Sequence, residues 1–229
     1  LVSFTCTYNG IIDELLSRIS QNQWLDWIEK MSGVEPIDIN GSLYTVATRY
    51  STSLFDGSTN AKAYDFALQQ VQWWNYGVNI EEDPYNYSGK TWKNLILTIP
   101  GQTAPDDIVI ISAHFDSISS QPTTAAPGAD DNMSGSATLF EAARILRQFR
   151  FQRTIKIIFF TGEEQGLIGS NAYVNDHPYN NILGVVNMDM FGYDGDNDRC
   201  FEIHAGTMTS SQDVGNCFAD SIAAYNLNL

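Results

Sequence analysis

Two short, strongly apolar runs, IVIISA at 108–113 and IKIIFF at 155–160, constrain this chain more than any other feature. Apolar runs of this length, without polar alternation, mark strands of a sheet that is covered on both faces. Between them lies SGSATLFEAARILRQF (134–149), with helical periodicity: Leu139, Ala143, Leu146 and Phe149 share a stripe, and Glu141, Arg144, Arg147 and Gln148 fall off it. Strand, helix and strand in that order predict a mixed, mainly parallel α/β sheet flanked by helices on both faces. Further strands are expected at NLILTIPG (94–101), ILGVVNMDM (182–190) and CFEIHAG (200–206), with helices over 167–176 and 210–225. Upstream, apolar residues at helical spacing predict one or two amphipathic helices over 11–32, with Gly33 as a stop. LYTVATRY (43–50) reads as a strand, 61–74 as a helix and 77–93 as a surface loop. Trp73 and Trp74 read as packing residues.

The chain's 229 residues are enough to build a substantial core. Twelve Lys and Arg against 27 Asp and Glu leave a net charge of −15. That balance argues against nucleic acid and against an anionic membrane surface, both of which need a basic face. No run approaches the roughly 18 apolar residues of a membrane span. The chain starts at Leu1 without a leader, so a trimmed or mature, secreted (extracellular or periplasmic) protein is expected. Cys6, Cys200 and Cys217 make no zinc-finger spacing, and one disulfide among them would leave an orphan. Asn86-Tyr87-Ser88 is a glycosylation acceptor pattern, of a kind that also arises by chance.

The acids and imidazoles then fall into place. His114 and Asp116 end the first apolar run, Asp130 and Asp131 lie in the loop PGADDNMSG, Glu163 and Glu164 end the second run, and Asp189 ends VVNMD. Ligands in open α/β sheets bind at the carboxyl ends of strands. Singly these residues have mundane readings: Asp130 as a loop or capping residue, Glu163 as a turn residue, His114 as a core histidine. Together they point to a divalent metal site. Three carboxylates with one or two imidazoles carry too much charge for one zinc and suit two, held ~3.5–4 Å apart by a bridging aspartate and sharing an activated water. Of the adjacent glutamates, one would then bind metal while the other takes the proton from that water.

HFDS, PGADDNMSG, TGEEQGLIGS and VVNMDM, with TRYS at 48–51, resemble in order and context the co-catalytic di-zinc aminopeptidase family. That family includes the secreted leucine-type aminopeptidases, with glutamate carboxypeptidase, glutaminyl cyclases and the transferrin receptor as relatives. The resemblance implies a zinc exopeptidase-like fold over 1–229 as one domain, with N-terminal helices near 10–33 and a catalytic core over 43–229. It implies that His114 and Asp189 bind one zinc, Asp131 bridges to the second and Glu164 binds that second ion. Glu163 would be the general acid/base, and Asp116 the carboxylate that fixes the His114 tautomer. A cis peptide between Asp131 and Asn132 is implied as well. The expected activity is hydrolysis of the N-terminal peptide bond by a monomeric enzyme, on peptides with a free N-terminus.

One part of the pattern is missing. The family places a second histidine in a Ser-Asp-His setting downstream of the last aspartate, and no such motif precedes Leu229. His204 follows Asp189 too closely and in a strand-like context, and His177 reads as a surface residue. The expectation is a chain that lacks its C-terminal part, with a second zinc site short of one imidazole. Two other functions stand beside the peptidase: a glutaminyl cyclase-like transferase, which the double aspartate of GADDN disfavours, and an inactive binding module or fragment, which the full set of ligands disfavours.

Overall fold

In the computed structural model the two apolar runs are neighbouring parallel strands at the centre of a five-stranded sheet. Residues 6–57, 61–74, 78–178, 181–198 and 200–227 are described. They divide into two compact units, one from Ser20–Gly192 and one from Leu1–Ile19 with Tyr193–Leu229.

The larger unit begins with α2 (Gln21–Met31), following α1 (Gly10–Leu16) of the smaller unit. The amphipathic stretch 11–32 is therefore two helices, and Ser20 caps the second through its side chain and the Gln23 amide. Gly33 follows at φ +80°, and a Cβ there would collide with the Val46 carbonyl. A small hairpin joins β1 (Ile37–Ile39) to β2 (Ser42–Tyr44), then come α3 (Ser51–Leu54) and α4 (Lys62–Trp74). The strand expected over 43–50 thus ends at Tyr44; beyond it only Thr48 bridges, to Ala126.

The main sheet comprises β3 (Asn79–Tyr87), β4 (Lys90–Ile99), β5 (Ala104–His114), β6 (Arg153–Phe160) and β7 (Ile182–Asn187), in the order β3-β4-β6-β5-β7. The stretch read as a loop, 77–93, is mostly a hairpin. Ser88 (φ +50°) and Gly89 (φ +76°) turn it, and two successive positive φ angles match the right-handed twist of paired strands. Pro84 is accommodated because β3 is an edge strand, where a missing N–H is tolerated. Asn86 is accordingly an exposed edge-strand residue. Only β4 runs against the other four strands, so the sheet is mixed and mainly parallel.

Strand pleating sorts the apolar residues between two layers. Leu95, Leu97, Ala113, Ile157 and Phe159 join α2, α4 and α5 (Met133–Leu146) in the main core. Trp27 stacks on Phe140 there at 4.4 Å, and burying such a ring contributes on the order of 2–3 kcal/mol. Trp74 packs edge-on against Trp27, while Trp73 is exposed. Ile96, Ile108, Ile110 and Ile158 face the other way, against Tyr173 of α6 (Ile168–Asp176). The helix linking β5 to β6 therefore covers one face, and the helix linking β6 to β7 covers the other. Chain connections diverge at β5, which is where a ligand crevice forms in open α/β sheets.

The smaller unit holds α1 and α7 (Thr209–Ala224), with a disulfide between Cys6 and Cys217. Tyr225 packs on Tyr8 at 5.6 Å, and its hydroxyl accepts from the Asn9 amide at 2.9 Å. Cys200 is free and exposed. The strand expected over 200–206 is not formed: these residues are exposed and without a ladder partner among the described residues, and a strand exists only through pairing.

Candidate metal centre

Register fixes what meets at the carboxyl rim. His114, the last residue of β5, pairs with Phe160 at the end of β6, and Ser112 pairs with Asn187 at the end of β7. The residues just past β6 and β7, Glu163–Glu164 and Asp189, consequently flank His114. Its Nε2 lies 3.1 Å from Asp131 Oδ1, 3.4 Å from Asp189 Oδ1 and 3.9 Å from Glu163 Oε2. Ligand atoms of His114, Asp131 and Asp189 fall within 4.8 Å of one another, as do those of His114, Glu163 and Glu164. His114 itself is buried, while the carboxylates of Asp131, Asp189 and Glu163 open toward solvent.

Backbone and side-chain hydrogen bonds hold each donor in place. Nδ1 of His114 faces the Asp116 backbone carbonyl at 3.1 Å, with the Asp116 carboxylate 3.6 Å away. That carboxylate is wholly buried and accepts from the amides of Glu163 (3.2 Å) and Glu164 (3.3 Å) and from the Ser51 hydroxyl (2.9 Å). Ser51 Oγ in turn accepts from the Gly162 amide at 2.7 Å. One buried acid thus seats both glutamates. Asn132 caps α5 through the Gly135 amide and donates to the Met188 carbonyl at 2.9 Å, tying the start of α5 to the residue before Asp189. The Asp131–Asn132 peptide is cis, as the sequence motif implied. Asp130 points elsewhere, accepting from the Gly192 amide, in keeping with a loop role.

Sequence reasoning missed Ser51 and Arg49 as supports, although both lie in the quoted TRYS. Arg49 is fully buried and donates to the carbonyls of Phe115, Met31, Pro127 and Gly128, at 2.6–2.9 Å. Burial lowers its pKa to about 10, against the pull of Asp116 and Asp131. It fixes the segment that leads into Asp131.

The electrostatics show a site short of positive charge. Burial opposes protonation of His114, yet hydrogen bonds that it donates to Asp116, Asp131 and Asp189 overcome it and push the imidazole up to about 12. Its hydrogen bond to His114 draws Asp131 below the ordinary carboxylate range. Burial, followed by the charge of Asp131, pushes Glu164 up to about 7, and burial likewise raises Glu163. Glu164 Oε1 is buried without a hydrogen-bond partner. One imidazole with four carboxylates, one of them an orphaned buried acceptor, fits divalent cations of the hard-to-borderline kind. His177 and His204 are placed otherwise: His177 beside Asp83, and His204 in the smaller unit, exposed and bonded to Glu202 at 2.8 Å.

Fold and rim together define an α/β protein with a carboxylate-rich candidate metal centre at the ends of its parallel strands. Residues 94–227 match peptidase family M28, and the chain belongs to that family. It is 38% identical over 128 residues to leucine aminopeptidase 1 of Arthroderma gypseum, across 52% of this chain and 33% of that protein. The chain spans 33% to 40% of the length of the curated relatives it matches. Its fold resembles the Legionella pneumophila LapA aminopeptidase, with a TM-score of 0.72 at 21% identity, over 99% of this chain and 58% of that one. A glutaminyl cyclase from Porphyromonas gingivalis shares the fold at a TM-score of 0.57 and 18% identity, over 78% of this chain and 62% of that one.

Proposed function

We propose that this chain carries the catalytic centre of a zinc-dependent aminopeptidase acting on peptides with a free N-terminus. The observation that carries the reading is the convergence of His114, Asp131, Glu163, Glu164 and Asp189 on one rim, with one oxygen of Glu164, Oε1, buried and unsatisfied. His114 and Asp189 would hold one zinc, Glu164 the other, and Asp131 would bridge them. Two ions are the full complement, the second short of one imidazole among the described residues. Zinc bound there would supply Lewis acidity to the scissile carbonyl and lower the pKa of the attacking water.

The chain's own residues do the rest. Glu163 takes the proton from the attacking water and delivers it to the leaving amine, and burial, by raising its pKa, brings it closer to the working range of such a group. Asp116 orients His114 and holds the amides of both glutamates. The free carboxylates along the rim favour a substrate's N-terminal ammonium. We take residues 1–229 as a single zinc-peptidase domain, monomeric and secreted. The Cys6–Cys217 disulfide supports an oxidising compartment. No described helix is long and apolar enough to cross a membrane.

The test is Glu163→Gln. It should keep its zinc by elemental analysis while turnover of leucine p-nitroanilide falls by roughly a hundredfold or more. Full turnover would remove Glu163 from the chemistry, and loss of zinc would move it among the ligands. The fold shared with glutaminyl cyclases does not separate the two chemistries. Ammonia released from an N-terminal glutaminyl peptide, with no amino acid freed, would establish the cyclase instead.

A further inference from the structure

A second set of donors meets where β3 passes the end of α6. The two-residue period of a strand places Glu81 and Asp83 on the same face of β3. His177 arrives as the C-cap of α6, with Nε2 3.2 Å from Asp83 Oδ1. One ligand atom from each of the three residues lies within 4.8 Å of the others. An ordinary ion pair accounts for His177 and Asp83. It does not account for Glu81, whose carboxylate has no hydrogen bond or ion pair among the described residues and yet stands beside a second carboxylate.

Asp83 and His177 are held in place by their neighbours. Asp83 is buried, and its other oxygen accepts from Asn94 Nδ2 at 3.0 Å, the kind of outer hydrogen bond that orients a metal-binding carboxylate. The His177 ring lies 4.7 Å from that of Tyr173, and its amide donates to the Tyr173 carbonyl at 2.9 Å. Glu81 is exposed, which leaves an entry path. One imidazole and two carboxylates of unlike burial suit a borderline divalent ion, with water completing its shell. We infer that Glu81, Asp83 and His177 form a further divalent-cation site, for zinc or a similar ion, built from residues other than those at the strand-end rim. Asn94 also donates to the Gly169 carbonyl and accepts from the Thr161 amide, so an ion held by Asp83 would brace the segment that leads into Glu163. Nothing in this inference depends on the aminopeptidase reading.

Isothermal titration of zinc chloride into the zinc-loaded, dialysed protein tests it. The unaltered chain should take up one further equivalent. Glu81→Gln leaves the His177–Asp83 pair intact, so it should keep its melting temperature while weakening the added zinc by roughly tenfold or more. His177→Ala should weaken it at least as much. No further equivalent in the unaltered chain, or one that survives unchanged in either variant, would overturn the assignment.

Discussion

At the scale of single residues the rim is a store of unbalanced charge, and Glu164 makes that measurable. Its pKa stands at about 7 in the fold against 4.5 ordinarily, first through burial and then through the charge of Asp131. The metal-free fold therefore binds this proton more tightly than the unfolded chain does. The resulting stability is complete below pH 4.5 and is lost as pH rises to about 7, reduced in size because the group is partly solvated. Glu164→Gln, neutral throughout, should flatten that part of the curve, read as melting temperature against pH in chelator-treated protein. With zinc present the dependence reverses, because protons then compete for the ligands and apparent zinc affinity climbs with pH. Equal slopes for the metal-free parent and Glu164→Gln would place the charge elsewhere. The acids and the imidazole of this rim were legible in the sequence because His114, Glu163, Glu164 and Asp189 sit at the ends of apolar runs and Asp131 in the loop that enters the helix between two of them. Ser51 and Arg49 were not, since a hydroxyl or guanidinium serving backbone atoms 111 or 66 residues away follows no local spacing. Nor was Glu141, placed off the helical stripe and yet buried, where it pairs bidentately with Arg144 and accepts from the Ser20 amide.

Among elements, the sheet was readable wherever burial on both faces left a continuous apolar run, as in β5 and β6. It was unreadable where an edge strand mixed acids with proline, as in β3, and where a strand-like apolar segment has no ladder partner among the described residues, as at 200–206. Two glycines show which local features reach the rim. Gly89, at φ +76°, has open space where a Cβ would stand, so Gly89→Ala should cost about 1–2 kcal/mol through backbone conformation alone. Gly169 sits in α6, where alanine ordinarily gains about 1 kcal/mol over glycine. Here a Cβ would collide with the Thr161 carbonyl and Asn94 Oδ1, at the point where the Gly169 amide donates to the Thr161 carbonyl just past β6 and the Gly169 carbonyl accepts from Asn94 of β4. Gly169→Ala should cost about 1–3 kcal/mol by overpacking and also displace the turn carrying Glu163. Denaturant midpoints should fall for both variants, whereas turnover should fall only for Gly169→Ala. Full turnover in that variant would free the rim from α6.

For the molecule as a whole, the disulfide is the feature that three cysteines left undecided, since any pair was open and only the fold brings Cys6 to Cys217. It joins positions 211 residues apart, and closing a loop of that length in the unfolded chain is worth about 5 kcal/mol on the chain-entropy account. The unit it closes has little else to hold it: neither α1 nor α7 buries a residue, and Ile11, Ile19 and Phe218 remain exposed. All the proposed zinc ligands, from His114 to Asp189, belong to the other unit, which contains the sheet and its two cores. Replacing both Cys6 and Cys217 by serine should therefore separate two properties. Proteolytic cleavage within 209–224 should become roughly tenfold faster or more, as local opening of α7 loses its constraint. Zinc content by elemental analysis should not change. If the ions leave with the disulfide, the metal centre draws on 193–227 as well as on 20–192, and the ligand set drawn from His114 to Asp189 is incomplete.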